Sequence, residues 1–577
     1  MPRLVLLACL LLAGAVSRAA ALGEGVAVST ASTQLSPSVN LIGKFDWEVD
    51  ASGWSRCLDM VWRAAGAGSD RINFVPTHHW LPASGSAAAS NTIGAFCHMH
   101  HTPSGANACS PWSDALIAEF RRAMAVCFTE AMRQGLTVYV RPHLDDGTAN
   151  GAWRNGLLLR PEAKHAGFRR GAGAAGRLAS SLRSMRPSPR RRCWAGSALP
   201  PSHARARPTS YADIMLAPLA DALRDALAAA AGEGVLRTLP GRARPAPRTR
   251  RAAPPGRGTQ GEMSATVMRF ASEWGGLVEG LRARVGGAHA DVLLGVGLNF
   301  NRLDDTTSVA KTYDSSRLSW LMWQLGAERS AGDVPPIDGD GVRRLLGEQL
   351  DFVGISAYAP YTGPGMALNE FESAAFMFAD EMRSLLGIDV AALVASGRLE
   401  LQYSEFGLGG GGAYSGTQAR ARAARRGRAH PRRWRAPCVA RSPAEVALRP
   451  FFGIYGAYAP GSDPWALPAN RAFLREFYFK AIAWLAAWRA AANRPAAPAR
   501  ASDPNSRTYR VSSCFIWSMA SWDVLGVHPE SSSDRGSYRD PVIADAVATY
   551  NRRVVAAQGG AAVGGGGGRG ALPAAGK

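Results

Sequence analysis

The chain has 577 residues, 47% hydrophobic and 19% charged, with 16 Trp, 13 Tyr and 19 Phe. That apolar content excludes wholesale disorder and a fibrous protein, and 63 Gly without a G-X-Y period exclude collagen. The formal charge of +21 invites a nucleic-acid reading, but residues 164–208, 237–260 and 417–443 hold eleven, seven and nine Lys or Arg and no Asp or Glu. These three stretches exceed the whole excess, so the rest of the chain is mildly acidic. They are rich in Arg, Ala, Pro and Gly and lack apolar periodicity, as disordered insertions do, so no nucleic-acid partner is expected.

Met1-Pro2-Arg3, a thirteen-residue apolar run from Leu4 to Val16 and Ala19-Ala20-Ala21 predict a secretory signal peptide over residues 1–21. No later apolar run reaches membrane-spanning length, so a soluble, secreted protein with no membrane partner is expected. Beyond the leader stand Cys57, Cys97, Cys109, Cys127, Cys193, Cys438 and Cys514, with no C-x-x-C pair, and no metal cluster is indicated. In an oxidising compartment Cys97 and Cys109 are placed to staple the loop between them; the other thiols are left unassigned.

Short apolar or β-branched runs at 40–43, 72–75, 137–141, 292–296, 352–356, 399–403 and 514–517 predict strands. Amphipathic segments such as 115–134 and 267–285 lie between them; in the second, Phe270, Trp274, Leu277, Val278 and Leu281 share one face at helical spacing. Strand alternating with helix predicts a parallel sheet covered by helices, and eight such units make a (β/α)₈ barrel. Only seven strands are evident, and 234–239 is a weak candidate for the missing fourth. A doubly wound open sheet is the alternative, without a G-x-G-x-x-G after the first strand to support it. The tail, 556–577, contains five consecutive glycines, Gly564 to Gly568, and reads as a flexible end.

In such a barrel, chemistry gathers where strands end. Those ends carry Arg141-Pro142-His143-Leu144-Asp145-Asp146, then Asn299, Tyr358, Glu405 and Trp517, while Glu262 opens the helix after the fourth strand. Glu262 and Glu405 are thereby expected across one mouth. Two facing carboxylates suit glycosidic cleavage, one protonating the departing oxygen and the other attacking the anomeric carbon. Tyr358 is a candidate donor to Glu405. Trp517, Trp153 and Trp80 offer flat apolar faces to sugar rings, and His143, Asp145 and Asn299 are candidates for binding hydroxyls. Each also has a plain structural alternative: a helix N-terminal Glu262, a hydrogen-bonded His143–Asp145 network, or a core Trp517.

Four motifs, Arg141-Pro142-His143-Leu144-Asp145 with Trp153-Arg154, Gly261-Glu262-Met263, Leu350-Asp351-Phe352-Val353-Gly354-Ile355-Ser356-Ala357-Tyr358 and Tyr403-Ser404-Glu405-Phe406-Gly407, run in one order with Trp517. In this the chain resembles the (β/α)₈ glycoside hydrolases, most of all the β-mannanase-like enzymes of family 113, over roughly residues 36–555 outside the basic stretches. The wider clan usually has Asn before the acid/base, where this chain has Gly261. The resemblance implies Glu262 as general acid/base and Glu405 as nucleophile of a retaining endo-glycosidase. Its substrate would be a β-1,4-linked, mannan-like polysaccharide, and it would need no cofactor or metal. A secreted carbohydrate-binding protein of the same fold that has lost turnover is the second expectation.

Overall fold

The computed structural model describes residues 26–29, 31–82, 93–102, 107–147, 154, 157–165, 208–232, 256–258, 263–285, 292–299, 335–359, 368–408, 468–492, 511–517, 519 and 540–559. Residues 1–21, expected to be a leader, the first and third basic stretches beyond their outermost described residues, and the glycine run lie outside them.

The protein is a mixed α/β molecule around a mainly parallel sheet. Its strands are β1 (Leu35–Leu41), β2 (Arg71–Pro82), β3 (Ile93–His101), β4 (Asn107–Pro111), β5 (Thr137–Val140), β6 (His143–Asp146), β7 (Gly256–Gly258), β8 (Leu293–Asn299), β9 (Phe352–Ala359), β10 (Glu400–Leu408) and β11 (Val511–Ile516). Parallel pairings run β1–β2, β2–β5, β5–β7, β7–β8, β8–β9, β9–β10, β10–β11 and β11–β1. Followed from β1, they return to β1. Around them lie α1 (Lys44–Trp47), α2 (Arg56–Ala65), α3 (Asp114–Arg133), α4 (Ala217–Gly232), α5 (Ser264–Arg269), α6 (Ala271–Val285), α7 (Gly339–Arg344), α8 (Ser373–Leu386), α9 (Val390–Ala395), α10 (Pro468–Ala492) and α11 (Pro541–Ala557).

Strand alternation sorts the side chains into two layers. Outward residues pack on helices, as Phe74 does edge-on to Phe128 of α3 at 5.0 Å. Inward residues are largely polar and satisfy one another: Asn73 Nδ2 donates to Ser38 Oγ and the Ser404 carbonyl at 3.3 and 3.2 Å, and Arg71 donates to the Ser512 carbonyl and Ser513 Oγ. This explains one correction. The first strand begins at Leu35, five residues before the run at 40–43, because Ser36, Pro37 and Ser38 read as turn residues although the serines bond inside the ring. A Cβ on Gly354 would stand 2.6 Å from Ser404 Oγ, so glycine there lets neighbouring strands keep their inner layer.

A second correction concerns the fourth strand. It is Gly256–Gly258, near the C-terminal end of the second basic stretch, so those residues belong to the sheet; 234–239 lies outside the described residues. A three-residue strand paired on both sides is held by backbone ladders, which leave no apolar signature in the sequence. A third correction is an excursion that the strand pattern did not suggest. Beyond the ring, β2 continues through Thr77–Pro82 to pair antiparallel with β3 and parallel with β6, and β3 pairs with β4. Trp80 is buried within it, 1% exposed, and offers no face to a sugar. Cys97–Cys109 joins β3 to β4 as expected, and Cys57–Cys127 joins α2 to α3.

Candidate active site

The site is built at the C-terminal ends of β5, β10 and β11, and a bulge aims its central residue. In β10 the register against both β9 and β11 shifts between Tyr403 and Glu405 or Phe406, leaving Ser404 as the extra residue. Gln402 and Ser404 line the interior with Asn73, Tyr139 and Arg141. Tyr403 and Phe406 face outward against Trp484 of α10. Regular alternation would send Glu405 outward after Ser404. The bulge lets two successive residues, Ser404 and Glu405, point inward, a use of bulges common beside active sites.

Glu405 is fully buried. His143 Nε2 lies 3.0 Å from its Oε1 and Arg141 Nη1 3.4 Å. Arg141 Nη2 also donates to Ser356 Oγ of β9 at 3.0 Å, so the guanidinium ties three strand ends together. His143 stacks against Trp517, centroids 5.2 Å apart at 20°, which fixes the plane of the imidazole. The carboxylate oxygen is thus flanked by a guanidinium and an imidazole, which position it.

Asp145 lies farther out, its side chain 39% exposed and paired with Arg154. Burial works to raise its pKa, but Arg154, with His79 and His143 nearby, pulls it below the ordinary carboxylate value. In register it stands opposite His79 of the β2 extension. Asn299 ends β8 opposite Ser356, and Tyr358 lies in β9 opposite Gly407; their side chains lie outside the described residues. Trp153 and Glu262 lie outside them altogether. Thus the described site brings together Glu405, His143 and Trp517, sets Asp145 at the rim, and adds Arg141 and Ser356. Arg141 was within a recognised motif without a role; a lone cation ending an apolar strand was its signal. Nothing in the sequence marked the Ser404 bulge beyond two successive polar residues, Ser404 and Glu405, between aromatics.

No protein-family model matches the chain, and no curated protein does. Among solved structures it is similar to a GH113 β-1,4-mannanase (10% identity over 90% of this chain and 99% of that one, TM-score 0.35). It is also similar to the GH113 β-mannanase of Alicyclobacillus acidocaldarius in complex with ManMIm (12%, 91% and 98%, TM-score 0.35) and to a glycoside hydrolase family 5 mannosidase from Rhizomucor miehei (10%, 92% and 95%, TM-score 0.33). TM-scores this low do not establish a common fold; the strand pairings and the buried cluster stand on their own. Among the described residues no helix is long and apolar enough to cross a membrane.

Proposed function

We propose that the chain is a glycoside hydrolase on a (β/α)₈ barrel. More particularly, we read it as a secreted, retaining, endo-acting enzyme on a β-1,4-linked polysaccharide, mannan-like as the sequence motifs imply. One observation carries this reading: a buried glutamate at the end of a parallel strand, turned inward by a bulge and held by Arg141 and His143. In this mechanism a Glu405 carboxylate oxygen bonds to the anomeric carbon as the glycosidic C–O bond breaks, and the departing oxygen takes the proton of Glu262. Water then hydrolyses the glycosyl ester, Glu262 removing its proton and Glu405 leaving as carboxylate. Glu262 immediately precedes Met263, the N-cap of α5, and follows β7 by four residues, the part of the chain from which the partner carboxylate should come. Arg141 and His143 act by positioning Glu405 and stabilising its charge; the chemistry calls on no cofactor or metal, and the expected leader supports secretion.

The complete burial of Glu405 favours a second reading, a carbohydrate-binding protein of the same fold without turnover. Reducing-sugar release from mannan, glucan and xylan separates the two. Hydrolysis abolished by Glu405→Gln supports the enzyme; saccharide binding by folded protein with no release from any of the three supports the second.

A further inference from the structure

The excursion beyond the ring concentrates histidines that the proposed chemistry does not use. His98 and His100 stand two apart on β3, so their side chains leave the same face, with rings 5.3 Å apart and tilted by only 31°. His98 is 9% exposed. It donates one ring N–H to the Ser110 carbonyl of β4, which leaves Nδ1 as its lone-pair nitrogen; among the described residues that Nδ1, which is buried, has no hydrogen-bond partner, nor has Nδ1 of His100. A ring N–H given to a backbone carbonyl with the other nitrogen turned inward is the arrangement that orients metal-binding imidazoles. The Cys97–Cys109 disulfide joins the same two strands and holds the pair in place. His78 also lies on this face but is committed elsewhere: its Nε2 meets the Ile214 carbonyl at 3.1 Å and its ring packs on Trp112 at 4.2 Å. Lys44, the nearby cation, is neutralised by Glu48 and Glu119 at 3.2 and 2.9 Å.

We propose that His98 and His100 chelate one borderline transition-metal dication through a His-x-His pair on β3, with water completing its coordination. Among the described residues no group of three or more metal-ligating side chains converges, so the two imidazoles are the protein ligands that the described residues supply. Imidazole ligation and the order of divalent affinities favour Cu²⁺ over Ni²⁺ and Zn²⁺.

The test is a Cu²⁺ titration of the full secreted chain near pH 7.5, read by calorimetry and by electron paramagnetic resonance. His98→Asn with His100→Gln should remove one equivalent of bound Cu²⁺. His100→Gln alone, at a half-buried position, should weaken that equivalent about tenfold or more and keeps the test open should the double variant not fold. His101→Gln, on the opposite strand face against Phe45, should change nothing. Nitrogen hyperfine structure from two imidazoles is expected in the wild type. Unchanged uptake in His100→Gln, or a spectrum without paired imidazole nitrogens, overturns the proposal.

Discussion

Replacing Arg141 by Met keeps the length of the side chain and deletes its charge. At 3.4 Å from Glu405, and with an effective dielectric constant near 20, the lost attraction is about 5 kcal/mol gross. Breaking one side of a buried ion pair typically costs about 3–5 kcal/mol, because the remaining charge stays desolvated. Here Ser356 Oγ loses its donor as well. Arg141→Met should therefore lower unfolding free energy by about 3–5 kcal/mol in urea titrations followed by circular dichroism near neutral pH. Adding Glu405→Gln to it should cost less than the sum of the single changes, since the second substitution removes the stranded charge. A loss under about 1 kcal/mol in Arg141→Met, the range of an exposed pair, would show that this carboxylate is not held as described.

Deleting Ser404 removes the bulge and draws Glu405 back by about one strand residue, ~3.3 Å, out of reach of His143 and Arg141; hydrolysis should fall at least ~100-fold with the far-ultraviolet spectrum retained. His78 and His98 are held down to about 3 by burial, whereas the unfolded chain takes up these protons near 6.5. Their contribution is therefore complete above pH 6.5 and is lost as pH falls toward 3. Between pH 7 and pH 5 each should cost about 2 kcal/mol, read as a declining urea midpoint that flattens in His78→Asn. A Cβ on Gly147 would lie 3.1 and 3.2 Å from the two disulfide sulfurs and 3.1 Å from the Trp80 carbonyl; Gly147→Ala should destabilise by about 1–3 kcal/mol, seen as a lower melting temperature.

Much of the ring was legible because its outward layer is apolar and its helices are amphipathic: 352–356 falls on β9, 514–517 overlaps the end of β11 up to Ile516, and 115–134 differs from α3 by one residue at each end. What was hidden follows from backbone-only interactions and polar interiors. Gly256–Gly258 carries no side-chain pattern, Ser36 and Ser38 resemble turn residues until their partners across the ring are known, and the His-rich β2 extension is buried by aromatic neighbours from distant segments. Within the site, Glu405, His143 and Trp517 were legible as polar or aromatic groups at strand ends. That Arg141 and His143 both serve Glu405 needed geometry, since 264 positions separate Arg141 from it. Trp80 misled because an aromatic's type does not reveal which side of a sheet it is on.

The central claim, that Glu405 forms a covalent bond to the sugar, is tested most directly by trapping that ester. Incubation with an activated 2-deoxy-2-fluoro-mannoside, followed by peptide mass spectrometry, should place one added glycosyl group on the peptide carrying Glu405 and none in Glu405→Gln. A label on a different carboxylate, or no label from a preparation that hydrolyses mannan, would contradict it.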